Sequence, residues 1–222
     1  MYKVDPKDEI ARFRTPDQAG IDDALAGGFI GADPKDEAII TKYADKLITT
    51  LNAGKSFMQV IGLAHKLADL FSKTSAKNSV CQKGCSHCCR ILVSVSKMEA
   101  AYIAKKTGRT LIEDRSLGLS PTDDNIEYCP FHDDETAGCS IYSARPISCR
   151  IFFAFDDPSY CADPNTTHAI STDNGKSPIK FVQDMITWLV QGSGNQAGDI
   201  RDYFDATDST TRGNKKKVRR KK

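Results

Sequence analysis

The stretch Cys81-Gln-Lys-Gly-Cys85-Ser-His-Cys88-Cys89 holds four of the chain's eight cysteines within nine positions, and no other feature constrains the fold as strongly. Packing of apolar side chains does not require such a density of sulfur, whereas soft-metal chemistry does. Four more cysteines, Cys129, Cys139, Cys149 and Cys161, follow at wider spacing, so folding must gather them. The expected architecture is mainly α with short β elements, a small α+β fold around an irregular cysteine-rich core.

Compartment decides how eight cysteines are read. The first residues, Met-Tyr-Lys-Val-Asp-Pro-Lys-Asp-Glu, carry charge where a secretory signal needs an apolar core, and no stretch has the length of a membrane span. A cytoplasmic location is the expectation. In a reducing compartment these cysteines read as metal ligands before they read as a disulfide framework.

Along the 222 residues four regions are expected: a loose N-terminal arm over 1–32, a helical hairpin over 33–75, a cysteine-cluster domain over 76–205 and a disordered basic tail over 206–222. Asp33 followed by Pro34 is a helix start, and Ile40, Ala44, Leu47, Ile48 and Leu51 then repeat at helical spacing. After Asn52 to Gly54 a second helix begins past Ser56, with Phe57, Val60, Ile61, Ala64, Leu67, Ala68 and Phe71 on one face and His65 beside it as a structural histidine. Ile91 to Val95 reads as a short strand. Ser96 with Glu99 forms a capping-box pattern for a helix to Thr107, stopped by Gly108. The turn-forming segment Asp133 to Gly138 brings Cys129 and Cys139 together in a small hairpin or tight loop. Phe152, Phe153 and Phe155 are expected in the core, Ile179 to Val190 as a further helix, and Gly198 to Phe204 as a short docking segment.

A thiolate suits zinc, iron–sulfur clusters and monovalent copper, and eight sulfurs exceed the four needed by one tetrahedral zinc site or one cubane cluster. Either two sites exist or some cysteines are supporting. Cys88 and Cys89, being adjacent, are expected to divide their roles. Zinc competes with an iron–sulfur cluster, but the first group lacks the paired C-x2-C knuckles of zinc ribbons. The spacing Cys81-x3-Cys85-x2-Cys88 also matches the cluster loop of radical S-adenosylmethionine enzymes, although the barrel such enzymes need does not follow.

Together, Cys81-x3-Cys85-x2-Cys88-Cys89, Cys129-Pro-Phe, Cys139-Ser-Ile-Tyr142, Arg145-Pro146 and Cys149-Arg150 resemble the YkgJ-type cysteine-cluster family of zinc- or iron-chelating domains, over about residues 78 to 165. The resemblance implies metal binding by Cys81, Cys85, Cys88, Cys89, Cys129, Cys139, Cys149 and Cys161. A related branch contains flagellin lysine N-methylases, which makes methyl transfer a third possibility. His132 departs from the family pattern, which more often has an apolar residue there; it and His87 are read as surface or supporting histidines. Arg145 and Arg150 are expected beside the bound metal, where guanidinium groups stabilise an anionic thiolate cluster.

No glycine-rich nucleotide loop, Ser/His/Asp set or carboxylate pair stands out, so no catalytic residue is assigned. The tail carries eight positive charges between Arg212 and Lys222; without them 23 basic residues face 29 acidic ones, a net of −6. Weak nucleic-acid contact is therefore expected of the tail alone, with an unidentified protein as the other expected partner. An iron–sulfur protein for redox, cluster-handling or sensing work is the first functional expectation, with a four-iron cluster as cofactor. A structural zinc protein is the second, and a methyltransferase the third.

Overall fold

A computed structural model describes residues 34–75, 79–81, 84–119, 126–162 and 197–206. The expected N-terminal arm, the helix over 179–190 and the basic tail lie outside these residues, apart from the tail's first position.

Helix α1 spans Pro34–Asn52 and α2 spans Phe57–Ser75. The chain reverses between them at Gly54, whose φ of +61° is the left-handed conformation that glycine adopts without a Cβ penalty. Their apolar stripes meet as the spacing predicts: Ile40, Ala44, Leu47, Val60, Ala64, Leu67, Ala68 and Phe71 form one buried cluster. Phe57 is the exception and stays 38% exposed, because it opens its helix beyond the reach of that face. Ile147, from a later segment, completes the cluster and joins the hairpin to the cysteine-bearing part of the chain.

A 3-10 turn at His87–Arg90 leads into strand β1, Ser94–Ser96, shorter than the alternation of apolar residues suggests. Helix α3, Lys97–Thr107, follows at once. Ser96 caps it by accepting from the Glu99 backbone N–H at 3.1 Å, and Gly108 ends it at φ 72°. Glu99 does not complete the capping box with its side chain. It is buried, and its Oε1 accepts from His65 Nε2 and from the Ile147 backbone N–H, both at 2.8 Å. One carboxylate thereby ties α2, α3 and the segment after Pro146 together. The expected structural role of His65 is what the molecule uses.

Strands β2, His132–Asp133, and β3, Gly138–Cys139, make the small antiparallel hairpin, with His132 opposite Cys139. Helix α4, Ile147–Ile151, comes next, and a 3-10 segment at Pro158–Ala162 carries Cys161. Strand β4, Ala197–Asp199, then pairs antiparallel with β1 and runs into α5, Ile200–Tyr203. A second buried cluster forms beneath this pair from Val93, Val95, Ala100, Ile103, Phe131, Ile141, Ile200, Tyr203 and Phe204, and Cys129, Cys139 and Cys149 pack against it. The fold is thus mixed, mainly helical with short antiparallel strands. None of its described helices is long and apolar enough to cross a membrane.

Candidate metal centre

Backbone geometry explains how the cysteines come together. Val80 N–H donates to Ala154 O at 2.9 Å, and Ala154 N–H donates to Cys81 Sγ at 3.4 Å, which sets the first sulfur against the aromatic segment. Gly84 turns the loop at φ 92°. The 3-10 turn begins at His87, directly after Cys85 and Ser86, and Cys89 N–H closes on Ser86 O at 2.9 Å. With three residues per turn, successive side chains leave such a segment about 120° apart, so Cys88 and Cys89 face different directions. Cys89 O accepts from Cys129 N–H at 2.7 Å and brings the second cysteine group in. The β2–β3 hairpin then supplies Cys139, and α4 supplies Cys149.

The resulting neighbourhoods cut across the two groups of the sequence. Cys85 feels Cys88, Cys81 and Cys161, and Cys161 feels Cys81 and Cys88. Cys89 feels Cys88, Cys129 and Cys149; Cys149 feels Cys88, Cys129 and Cys139. Cys81, Cys85 and Cys161 thus neighbour one another, as do Cys89, Cys129, Cys139 and Cys149, and Cys88 acts on members of both sets. Cys88 stands at the junction, hydrogen-bonded to Cys89.

All eight are thiols outside any disulfide, each partly buried. A hydrogen bond to Cys81, then burial, pushes Cys85 far above the ordinary thiol range; Cys89 is raised in the same way by Cys88 and by burial. Burial raises Cys129 and Cys161 to about 12, and it also raises Cys139 and Cys149. Cys88 is lowered, first by its hydrogen bond with Cys89 and further by the Arg145 guanidinium. Sulfurs buried in this way ionise only when a cation compensates them.

Three arginines surround the sulfurs. Arg145 lies near enough to lower Cys88, Cys139 and Cys149, and it also sits 4.3 Å over the Tyr142 ring. Arg150 is placed differently: it donates to Arg145 O and Ser143 O at 2.8 Å, pairs with Asp69 and approaches His65 Nδ1 at 3.3 Å. Among the sulfurs it acts on Cys139, lowering it after burial has raised it. The third, Arg201, gave no sign in the sequence. It donates to Cys89 O and Glu127 O at 2.8 and 2.9 Å and to Asp199 Oδ1 at 2.8 Å, so it clamps the 3-10 turn to β4. The only hint was the Asp199-x2-Asp202 capping pattern beside it, which marks a helix start and says nothing of a buried guanidinium.

Among the described residues, no three histidine, cysteine, aspartate or glutamate side chains already converge as a bound metal requires. The chemistry of the donor set nevertheless suits one, since eight free thiols lie in the cysteine-bearing part of the fold with the Arg145 guanidinium and a backbone N–H donor beside them. Residues 80–171 match the family model CxxCxxCC, described as "Putative zinc- or iron-chelating domain". The matched segment takes in all eight cysteines together with Arg145 and Arg150, while Arg201 falls beyond it. No curated protein and no solved structure matches the chain.

Proposed function

We propose that this protein binds metal at two four-cysteine centres, Cys81/Cys85/Cys88/Cys161 and Cys89/Cys129/Cys139/Cys149, and that iron–sulfur clusters are the native occupants, used for redox, cluster-handling or sensing work. The observation that carries the reading is the hydrogen bond between Cys88 and Cys89 at the junction of the two quartets. Centres built on these two adjacent residues would lie next to each other, as electron exchange between them requires. Backbone N–H donors and Arg145 beside the sulfurs are features that tune such clusters.

Each residue has a distinct part in this reading. The eight thiolates hold the metal, Arg145 offsets their negative charge, and Arg201 fixes the carbonyl of Cys89 so that the second quartet keeps its shape. When bound, a cluster supplies one-electron redox chemistry. Zinc is the second reading, favoured by the closed count of four thiols per group, which leaves no open coordination position. Iron and acid-labile sulfide analysis of protein purified without oxygen decides between them. Brown protein containing both iron and sulfide is expected; colourless protein with zinc alone, and no sulfide after reconstitution, overturns the iron–sulfur reading.

A further inference from the structure

His132 has an arrangement that neither a surface histidine nor a packing histidine needs. Its side chain is only 8% exposed, and Nδ1 lies 3.0 Å from Asp134 Oδ1. A carboxylate accepts and cannot donate, so this contact puts a proton on Nδ1, and in the neutral ring Nε2 then carries a bare lone pair. That Nε2 is buried and has no hydrogen-bond partner. Burying an unsatisfied acceptor costs about 1–3 kcal/mol, a cost that a purely structural histidine avoids by choosing the other tautomer or turning outward. The ring is further held by stacking on Tyr128, with centroids 4.2 Å apart and planes 23° apart.

The position of this ring is informative. His132 follows Cys129 by three residues and pairs directly with Cys139 across the β2–β3 ladder. Directly opposed residues of an antiparallel pair project from the same face with Cβ atoms about 4.5–5.5 Å apart. Cys139 therefore shares a face with the unsatisfied imidazole, and Cys129 is joined to His132 through the backbone, its carbonyl accepting from His132 N–H at 2.8 Å. A carboxylate on one ring nitrogen and a metal on the other is the usual setting of a ligating histidine, because the carboxylate fixes the tautomer and raises ligand basicity.

We propose that His132 Nε2 is a ligand of the metal held by Cys129 and Cys139, with Asp134 as its positioning residue. This rests on the metal-binding reading above and deepens it. The second centre becomes a mixed sulfur–nitrogen site, chemically distinct from the all-thiol first centre. With zinc bound, five donors meet four tetrahedral positions, so the imidazole takes the place of one thiol in the four-cysteine set proposed above.

The test uses the full-length chain loaded anaerobically with zinc alone. Long-range proton–nitrogen NMR spectra of the four histidines should show one Nδ1-protonated imidazole whose Nε2 resonance moves on zinc addition, and that signal should vanish in His132→Ala. Asp134 is exposed, so Asp134→Asn leaves the fold intact while relaxing the ring; zinc affinity at the second centre should fall by about 10–100-fold with the zinc count unchanged. If zinc binds but no imidazole signal moves, and Asp134→Asn binds as tightly as the parent, His132 is not a ligand although the cysteine centres stand. If neither parent nor variants bind zinc, the metal-binding reading itself fails and the inference falls with it.

Discussion

Cys88 and Cys89 share a peptide bond, and the tight 3-10 turn that carries them sends their side chains in different directions, as the two proposed centres require. Arg201 holds several segments at once in the same residue-by-residue manner. It is buried and satisfies carbonyls from three separate positions while pairing with Asp199. Arg201→Met should destabilise the protein by about 3–5 kcal/mol, because Asp199 is left as an uncompensated buried charge. Arg201→Lys should recover little, since an ammonium lacks the planar fork that spans these carbonyls. Denaturant unfolding measures both, and a loss within error of zero for Arg201→Met counts against the clamp. At this scale the apolar positions were legible, because a repeat of 3.6 residues names a helix face without knowledge of what covers it. Arg201 was not legible, because its partners are backbone atoms far away in the chain, and backbone atoms leave no mark on composition.

Among the elements, the pairing of β1 with β4 does most to shape the centre. Val95 lies opposite Gly198, Asp199 Oδ2 accepts from Val93 N–H at 2.7 Å, and Ile200 N–H returns a bond to Val93 O at 3.0 Å. The strand behind the cysteine turn is thus held by a segment more than a hundred residues later. Gly198 is there because nothing larger fits: a Cβ would meet Asp202 Oδ2 at 2.8 Å and Tyr203 Cε2 at 3.3 Å. Asp202 Oδ2 is the atom that caps α5 by accepting from Asp199 N–H. Gly198→Ala should therefore cost about 1–3 kcal/mol by overpacking, visible as a lower denaturation midpoint with the slope unchanged. An unchanged midpoint contradicts this placement. The helical hairpin, the capped α3 and the docking of Gly198 to Phe204 could all be foreseen from local signals. The partner of β1 could not, since a three-residue strand carries too little pattern to specify its mate.

For the whole molecule, the proposed metal binding by buried thiols would couple folding to metal loading. Burial raises Cys129 and Cys161 from the ordinary 9.0 to about 12, so the metal-free fold holds these protons more tightly than the unfolded chain does. The contribution of these thiols to stability is complete below pH 9 and drains away as the pH rises from 9 toward 12. Urea midpoints of reduced, metal-free protein should fall across that window; a flat or rising profile contradicts the burial of these sulfurs. The broad reading of a cysteine-rich metal-binding fold was available from spacing alone. The division into two proposed centres was not, because Cys161 and Cys129 reach their neighbours only through the Pro158–Ala162 segment and the Cys129 N–H bond to Cys89 O. Native mass spectrometry of the anaerobically loaded full-length chain tests this most directly. Two centres are expected on the parent and one each on Cys161→Ser and Cys89→Ser, each variant losing a different centre. A single centre on the parent, or one substitution that removes everything while the fold survives, contradicts the two-quartet arrangement.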